Sequence, residues 1–221
     1  MCGIVGFIGC KPAAPLLLEG LAKLEYRGYD SAGIALAGEN GVVIHKAKGR
    51  LGVLREMIGD GAGLPETAGI GHTRWATHGK PSDENSHPHR SASGRFAVVH
   101  NGIIENYMEL REFLQSEGIT FVSQTDTEVV AQLLEHYYDG DILDAVVKTL
   151  NRIQGAYALG IVCADCPDRI IAARKDSPLI LGLGKGFHFL ASDVTAVIKY
   201  TRDVYYLDDG EIAELTADDL W

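Results

Sequence analysis

Cys2 is the residue whose type and position point most directly to chemistry. It follows Met1 and opens a short apolar run bounded by glycines, residues 2–9. If Met1 is removed, the same residue carries a thiol and a free α-amine. A chain-terminal amine titrates near pH ~7.7–8.0 and can serve as general base for a thiol nucleophile. The pattern therefore predicts a nucleophile with its own base, and the alternative is a small residue that begins a strand.

A second candidate is the loop of residues 71–79, which reads GHTRWATHG. Its Arg74 offers a planar guanidinium suited to a carboxylate, so a small acid or an amino acid is a natural ligand. The alternative is an ordinary exposed arginine on a loop.

A third candidate is the pair Asn101-Gly102, which follows His100 at the end of an apolar run. Asn-Gly is most often a turn. The same pair can form an oxyanion hole, because a side-chain amide N–H then lies beside an unobstructed backbone N–H. The sequence leaves both interpretations open.

The segment 123–128, SQTDTE, combines a helix start with a carboxylate. Thr125 and Glu128 have the spacing of a capping box, and Asp126 suits the first turn of a helix. Asp126 could also hold a substrate ammonium. The two interpretations are compatible, since a helix start would fix the position of the carboxylate.

Metal binding is the rival hypothesis for the histidines. No two of them have the i, i+4 spacing of a metal-binding helix, and Pro88 separates the closest pair. Cys163 and Cys166 form a lone C-x-x-C, which usually means two incidental thiols. We therefore expect no metal and no cofactor. Five of the eight histidines concentrate between residues 72 and 100: His72, His78, His87, His89 and His100.

Composition sets the class of protein. The chain has 221 residues, 46% of them hydrophobic, which suffices for one large domain or at most two small ones. The formal net charge of -10 argues against binding to nucleic acid or to an anionic membrane. The start resembles no signal peptide, and no apolar run reaches the ~18–20 residues of a membrane span. We expect a cytoplasmic protein whose four cysteines are reduced.

Periodicity predicts strands on both sides of a group of helices. Because the helices are grouped and most strands are joined by short turns, we expect an α+β fold with largely antiparallel sheets. Helices are predicted at 14–24, 106–115, 127–138 and 142–153, with Gly118 and Gly140 near helix ends. Strands are predicted at 4–8, 33–36, 42–46, 69–72, 96–100, 157–163, 169–173, 179–182, 187–191, 204–207 and 211–215.

Together these motifs closely resemble the glutaminase domain of the glucosamine-6-phosphate synthase family, a branch of the class II glutamine amidotransferases in the N-terminal nucleophile hydrolase superfamily. The resemblance runs over essentially the whole chain. It rests on MCGIVG at 1–6, LEYRGYDSAG at 24–33, GHTRWATHG at 71–79, NSHPH at 85–89, VHNGIIEN at 99–106 and TDTE at 125–128.

The resemblance implies a four-layer αββα sandwich and a role for each motif. Cys2 would attack the carboxamide of L-glutamine, and ammonia would leave before water hydrolyses the thioester. Asn101 and Gly102 would form the oxyanion hole. Arg74 would bind the substrate carboxylate and Asp126 its ammonium.

Four further residues receive supporting roles from the resemblance. Thr77 and His78 would lie in a loop that closes over glutamine. Arg27 would shape the surroundings of the nucleophile, and Trp75 would help control the exit of ammonia.

The resemblance also fixes what we expect of domains and partners. Residues 1–221 would be one glutaminase domain, and the sugar-phosphate isomerase domains of the family, which form its ammonia-using half, are absent from the chain. The full-length enzyme would be a homo-oligomer that transfers ammonia to fructose 6-phosphate. The alternatives are the phosphoribosylamine-forming or asparagine-forming branches, and a silent domain that only binds glutamine. A retained Met1 would favour the silent domain.

Overall fold

The computed structural model describes residues 2–76 and 78–221. The first part of the chain supplies mainly strands, the middle three helices, and the last part strands again. In chain order the elements are β1 (Gly3–Gly9), α1 (Ala13–Leu24), β2 (Ser31–Gly38), β3 (Gly41–Lys48), α2 (Leu51–Met57), β4 (Ala68–Arg74), β5 (His89–Arg90), β6 (Phe96–Ile104), α3 (Tyr107–Ser116), α4 (Glu128–Tyr137), α5 (Ile142–Leu150), β7 (Gly155–Cys163), β8 (Cys166–Lys175), β9 (Ile180–Leu183), β10 (Phe187–Ala191), β11 (Val204–Tyr206) and β12 (Ile212–Leu215).

The strands form two antiparallel sheets. The first has seven strands in the order β11-β9-β10-β1-β4-β2-β3, and the second has five in the order β12-β8-β7-β6-β5. Strand β1 lies at the centre of the first sheet between β10 and β4. Strand β6 lies beside β7 in the second sheet.

Alternating side chains explain how the sheets stack. Val5 and Phe7 of β1 pack against α1 and α2, whereas Ile4 and Ile8 point to the apolar layer between the sheets. In β6, Val98 packs against the helices α3, α4 and α5, and its neighbours on the chain face the other sheet. The order of layers is therefore helices, sheet, sheet, helices, which confirms the predicted αββα sandwich.

The predicted elements are confirmed with a few changes at their ends. The predicted helix 142–153 ends at Leu150, and the predicted strand 204–207 ends at Tyr206. Periodicity missed the seven-residue helix α2 and the two-residue strand β5, because both are too short to show a repeat. Gly118 adopts the positive φ of +89° expected just past the end of α3. Among the described residues, no helix is long and apolar enough to cross a membrane.

Candidate active site

The candidate site is a cavity of about 320 Å³ at the ends of β1, β4 and β6. The strand pairing creates it, because β1 and β4 are neighbours and Gly3 pairs with Thr73. This register puts the start of β1 beside the end of β4. Eight residues predicted from the sequence line the cavity: Cys2, Arg27, Arg74, Trp75, His78, Asn101, Gly102 and Asp126. Thr77, the remaining predicted site residue, lies outside the described residues.

Cys2 sits just before β1, with its thiol against the backbone of Trp75. Its Sγ accepts from the Trp75 N–H at 3.2 Å and lies 3.5 Å from the Trp75 carbonyl oxygen. Burial raises the pKa of the Cys2 thiol, and the hydrogen bond from Trp75 opposes this effect. A thiol held protonated in this way needs a base before it can act as a nucleophile.

Arg74, the last residue of β4, is 3% exposed. Its Nη2 donates to the carbonyl oxygens of His78 and Gly79, the latter at 3.0 Å. Its Nη1 lies 4.0 Å from Asp30 Oδ1 and has no hydrogen-bond partner among the described residues. A buried guanidinium with an unused donor beside a cavity is suited to binding a carboxylate.

Asp126 supplies the opposite charge in the same cavity. It is 4% exposed, and its Oδ2 accepts from the backbone N–H of Ile104 at 2.8 Å. A carboxylate oriented by one backbone donor can still bind a ligand ammonium through its remaining lone pairs. Arg27 also lines the cavity but is paired with Asp193, so Arg74 and Asp126 are left as the two opposite charges that an α-amino acid requires.

Asn101 and Gly102 lie inside β6, so the alternative of an Asn-Gly turn is wrong. Asn101 pairs with Ala158 of β7, and Gly102 pairs with Tyr157. Asn101 Nδ2 donates to the carbonyl oxygen of Cys2 at 3.0 Å. The amide thus stands next to the thiol-bearing residue, as an oxyanion hole requires.

The surrounding predicted residues form the rim. Trp75 is 48% exposed and packs edge-on against Tyr29, with ring centroids 5.2 Å apart. Arg27 Nη2 makes an ion pair with Asp193 Oδ2 at 2.6 Å. His78 packs edge-on against Tyr107.

The capping box predicted for Thr125 and Glu128 is wrong. Helix α4 begins at Glu128, and its N-cap position is Thr127 rather than Thr125. The Glu128 carboxylate instead accepts from the backbone N–H groups of Val122 and Ser123. The side chain of Thr125 bonds His89 Nε2 at 2.9 Å, so tertiary contacts replace the local cap.

Four of the predicted histidines form a buried cluster beside the cavity, and two of them, His87 and His100, line it. His72 stacks on His87 with centroids 4.1 Å apart and an interplanar angle of 12°, and His87 packs edge-on against His89. Burial lowers the pKa of His72 to about 3, and it lowers the pKa of His87 and His89 well below the usual value. Burial also lowers the pKa of His100, opposed by Asp126. The described residues contain no group of three or more side chains that could hold a metal ion.

Sequence reasoning missed two supporting residues, Asp30 and Lys46. Asp30 Oδ2 accepts from the Ala76 N–H and so holds the chain that follows Arg74. Lys46 Nζ donates to the carbonyl oxygens of Glu84, Ser86 and Pro88, at 3.3, 2.7 and 3.2 Å. Burial lowers the pKa of Lys46 to about 8.

The Tyr-Arg-Gly-Tyr-Asp run was one signal for Asp30, but nothing local in the sequence marked Lys46.

Cys163 and Cys166 lie away from the cavity. They occupy opposite backbone positions on β7 and β8, across the short turn that joins the two strands, and they form no disulfide with each other. Burial raises the pKa of Cys163 to about 11, which suits an unreactive thiol.

Comparison with solved structures places the fold among the N-terminal nucleophile hydrolases. The glutamine phosphoribosylpyrophosphate amidotransferase from B. subtilis superimposes with a TM-score of 0.85 at 27% identity, covering 100% of this chain and 48% of that one. A glutamine aminotransferase class-II domain protein from Silicibacter pomeroyi shares the fold, with a TM-score of 0.68 at 15% identity over 100% of this chain and 97% of its own.

Sequence comparison is more specific. The family model described as glutamine amidotransferase domain matches residues 72–199, and the chain belongs to that family. The glutamine–fructose-6-phosphate aminotransferase (isomerizing) of Caldanaerobacter subterraneus subsp. tengcongensis is 63% identical over 218 residues, 99% of this chain and 36% of the relative. The protein of the same name from Aquifex aeolicus is 53% identical over 99% of this chain and 37% of its own length. The chain thus spans a little over a third of these relatives, and the resemblance seen in the sequence is confirmed.

Proposed function

We propose that this chain hydrolyses L-glutamine to L-glutamate and ammonia. The observation that carries the proposal is the cavity that brings the Cys2 thiol together with the unused donor of Arg74 and the carboxylate of Asp126. The two charged groups match the α-carboxylate and the α-ammonium of an amino acid. The thiol is the nucleophile for the side-chain amide.

The chemistry follows from the groups present. Once Met1 is removed, the α-amine of Cys2 takes the thiol proton, and the sulfur attacks the carboxamide carbon. Asn101 and Gly102 stabilise the negative charge that develops on the carbonyl oxygen. The intermediate then collapses as the amine returns the proton to the leaving ammonia. Water hydrolyses the resulting thioester and releases glutamate and the free thiol.

The rim residues receive roles in the same scheme. His78 belongs to the segment that covers bound glutamine, and Arg74 supports this segment through the His78 carbonyl. The covering role that the resemblance implies for Thr77 stays a prediction. Arg27 shapes the wall near Cys2, and Trp75 stands at the opening through which ammonia leaves.

For the full-length polypeptide we propose that ammonia is transferred to fructose 6-phosphate. The support is the printed name of relatives that are 63% and 53% identical to nearly all of this chain. On this proposal, residues 1–221 are the glutaminase domain and the remaining length carries sugar-phosphate isomerase domains. The proposed full-length enzyme is a homo-oligomer, and the cytoplasmic location expected from the sequence stays a prediction.

Ammonia release by the purified chain tests the glutaminase proposal. The wild-type chain should release ammonia from L-glutamine, and Cys2→Ala should abolish release while glutamine still binds. Cys10→Ala is the matched control, because Cys10 is an exposed thiol outside the cavity and its removal should leave the rate unchanged. An alanine variant at residue 2 that kept the wild-type rate would end the proposal.

Two analogues test the proposed recognition of the amino acid. Glutaramate lacks the α-ammonium, and L-glutamine methyl ester lacks the free α-carboxylate. Each should be hydrolysed with a kcat/KM far below that of L-glutamine, because each leaves one buried charge unpaired. Intact-mass measurement should show that the active chain lacks Met1.

Assays of the full-length protein test the acceptor. Fructose 6-phosphate should support amino-sugar formation, whereas phosphoribosyl pyrophosphate and aspartate should not. Formation of phosphoribosylamine or asparagine would assign the chain to another branch.

A further inference from the structure

The side-chain amide of Asn101 makes a defined hydrogen bond at each end. Its Nδ2 donates to the Cys2 carbonyl oxygen at 3.0 Å, and its Oδ1 lies 3.0 Å from His72 Nε2. The two ends of an amide have similar shape, so the orientation depends on which groups face them. A reversed amide would put its oxygen against the oxygen of Cys2 and its nitrogen against His72.

His72 Nε2 faces two acceptors at once. It lies 3.0 Å from Asn101 Oδ1 and 3.0 Å from the carbonyl oxygen of His100. Only a nitrogen that carries a proton is compatible with two oxygens at this distance. His72 is therefore protonated at Nε2, and its Nε2–H requires an oxygen, not an NH₂ group, at the near end of Asn101.

Burial and stacking hold the ring of His72 in one orientation, with Nε2 facing Asn101. It is 0% exposed and lies flat against His87, with an interplanar angle of 12°. Its Nδ1 is buried and has no hydrogen-bond partner among the described residues, so a proton at Nδ1 would be left without an acceptor. Adding a second proton would place a charge in this buried stack beside Arg74.

We propose that His72 is a positioning residue for the reaction: its Nε2–H fixes the amide of Asn101 with the NH₂ group turned toward Cys2. This inference rests on the proposed glutaminase function. One amide N–H is used by the Cys2 carbonyl, and the other is left to the oxygen that becomes negative in the intermediate. Without His72, the amide can rotate and present its oxygen to that same developing charge.

Two amide substitutions separate the role of the N–H from the role of ring volume. In His72→Gln the side-chain nitrogen reaches the place of Nε2, whereas in His72→Asn it reaches only the place of Nδ1. His72→Asn should lower kcat by roughly 10-fold to 100-fold with little change in KM, a smaller loss than removal of an oxyanion donor. His72→Gln should retain most of the turnover per folded molecule.

A double-mutant cycle shows whether His72 acts through Asn101. On an Asn101→Ala background, His72→Asn should cause no further loss of kcat, because the group it positions is gone. Losses that multiply would overturn the proposal. Equal kcat for His72→Asn and wild type would also overturn the proposal for His72 and would leave the glutaminase function in place. A wild-type chain without glutaminase activity would instead contradict the proposed glutaminase function itself.

The rate at which iodoacetamide alkylates Cys2 measures the reactivity of the thiol in a reaction that needs no oxyanion hole. Followed by mass spectrometry of the N-terminal peptide, this rate should be the same in wild type and His72→Asn. A parallel fall in alkylation and turnover would mean that the substitution disturbs the thiol itself, which contradicts the proposal.

The wild-type protein allows a test that depends on no variant. Long-range ¹H–¹⁵N correlation spectra of the histidine rings at pH 7 should show His72 as the neutral form protonated at Nε2. A neutral ring protonated at Nδ1, or a charged ring, would overturn the proposal.

Discussion

Gly102 approaches the carbonyl oxygen of Ala156 so closely that a Cβ atom at residue 102 would lie 2.1 Å from it. The backbone of Gly102 also has a φ of +125°, a value that residues other than glycine rarely adopt. Two independent constraints therefore require glycine beside Asn101. Both arise where β6 runs past β7 at the edge of the cavity.

Gly102→Ala should reduce both stability and turnover. The clash with Ala156 must push β6 from β7, and this shift moves the neighbouring Asn101 amide away from Cys2. We expect a loss of at least about 2 kcal/mol in the free energy of unfolding and a fall in kcat. Urea denaturation and ammonia release measure the two effects.

Gly118→Ala is the matched control for that substitution. Gly118 also has a positive φ, +89°, but a Cβ there meets nothing within 4 Å. Its replacement should cost about 1–2 kcal/mol from backbone strain alone and leave the turnover of folded protein unchanged. If Gly102→Ala lowered the free energy of unfolding and the turnover no more than Gly118→Ala does, the close approach to Ala156 would make no measurable contribution.

Arg74→Lys should raise the KM for glutamine at least about tenfold although the charge is kept. An ammonium cannot donate to a substrate carboxylate and also reach the carbonyls of His78 and Gly79. Steady-state kinetics of ammonia release provide the measurement. An unchanged KM would return Arg74 to the status of a structural arginine.

Asp126→Asn removes charge while retaining the local structure. An asparagine oxygen can still accept from the Ile104 N–H, so the fold should be preserved. Glutamine affinity should fall, because an amide attracts an ammonium less strongly than a carboxylate does. The same substitution should leave the already weak hydrolysis of glutaramate nearly unaltered, and an equal loss with both substrates would contradict the assignment.

Asn101→Ala should lower kcat by about 10²–10³ with a much smaller change in glutamine affinity. The amide N–H stabilises charge that develops only after the thiol attacks. Turnover, glutamine affinity and melting temperature measured on this variant separate catalysis from folding.

Asn106→Ala is the control for a purely structural asparagine. Its side chain donates to Arg152 O and accepts from Gln154 N, both at 2.9 Å, outside the cavity. It should lower the melting temperature and leave kcat unaltered. The same outcome for Asn101→Ala would make Asn101 structural too.

How much the sequence predicts depends on the range of the interactions involved. The pattern of strands around grouped helices was enough for an α+β fold with largely antiparallel sheets, because burial on alternate faces is encoded along each strand. The four-layer αββα order was predicted from the family resemblance and not from this pattern. Whether Asn101-Gly102 is a turn or an oxyanion hole could not be decided locally, since the answer depends on the partner strand β7. The predicted cap at Thr125 failed because His89, distant in sequence, provides its hydrogen-bond partner.

The hydrogen bond between His72 and Asn101 could not be predicted from the sequence either. His72 was grouped with the other histidines as a candidate metal ligand, and its spacing gave no indication of a partner. Only the stacking on His87 and the meeting of β4 with β6 show why a neutral imidazole is placed there.

Acid should destabilise the protein through the buried histidine cluster. The pKa of His72 is lowered to about 3, and those of His87 and His89 lie well below the usual value. Below about pH 6.5 the unfolded chain binds protons that the folded chain does not. The free energy of unfolding should therefore fall as the pH falls, by up to about 1.4 kcal/mol per pH unit for each such histidine.

Urea denaturation at pH 7.5, 6.5, 5.5 and 4.5 measures this dependence. His87→Phe keeps a flat ring against His72 and removes one titrating group, so its stability should fall less steeply below pH 6.5, by up to about 1.4 kcal/mol per unit. The decline should be shallow between pH 7.5 and 6.5, where the unfolded histidines take up only about half a proton each, and should steepen below pH 6.5. A wild-type stability that stayed level from pH 6.5 to 5 would show that the cluster accepts protons while folded, contrary to its burial.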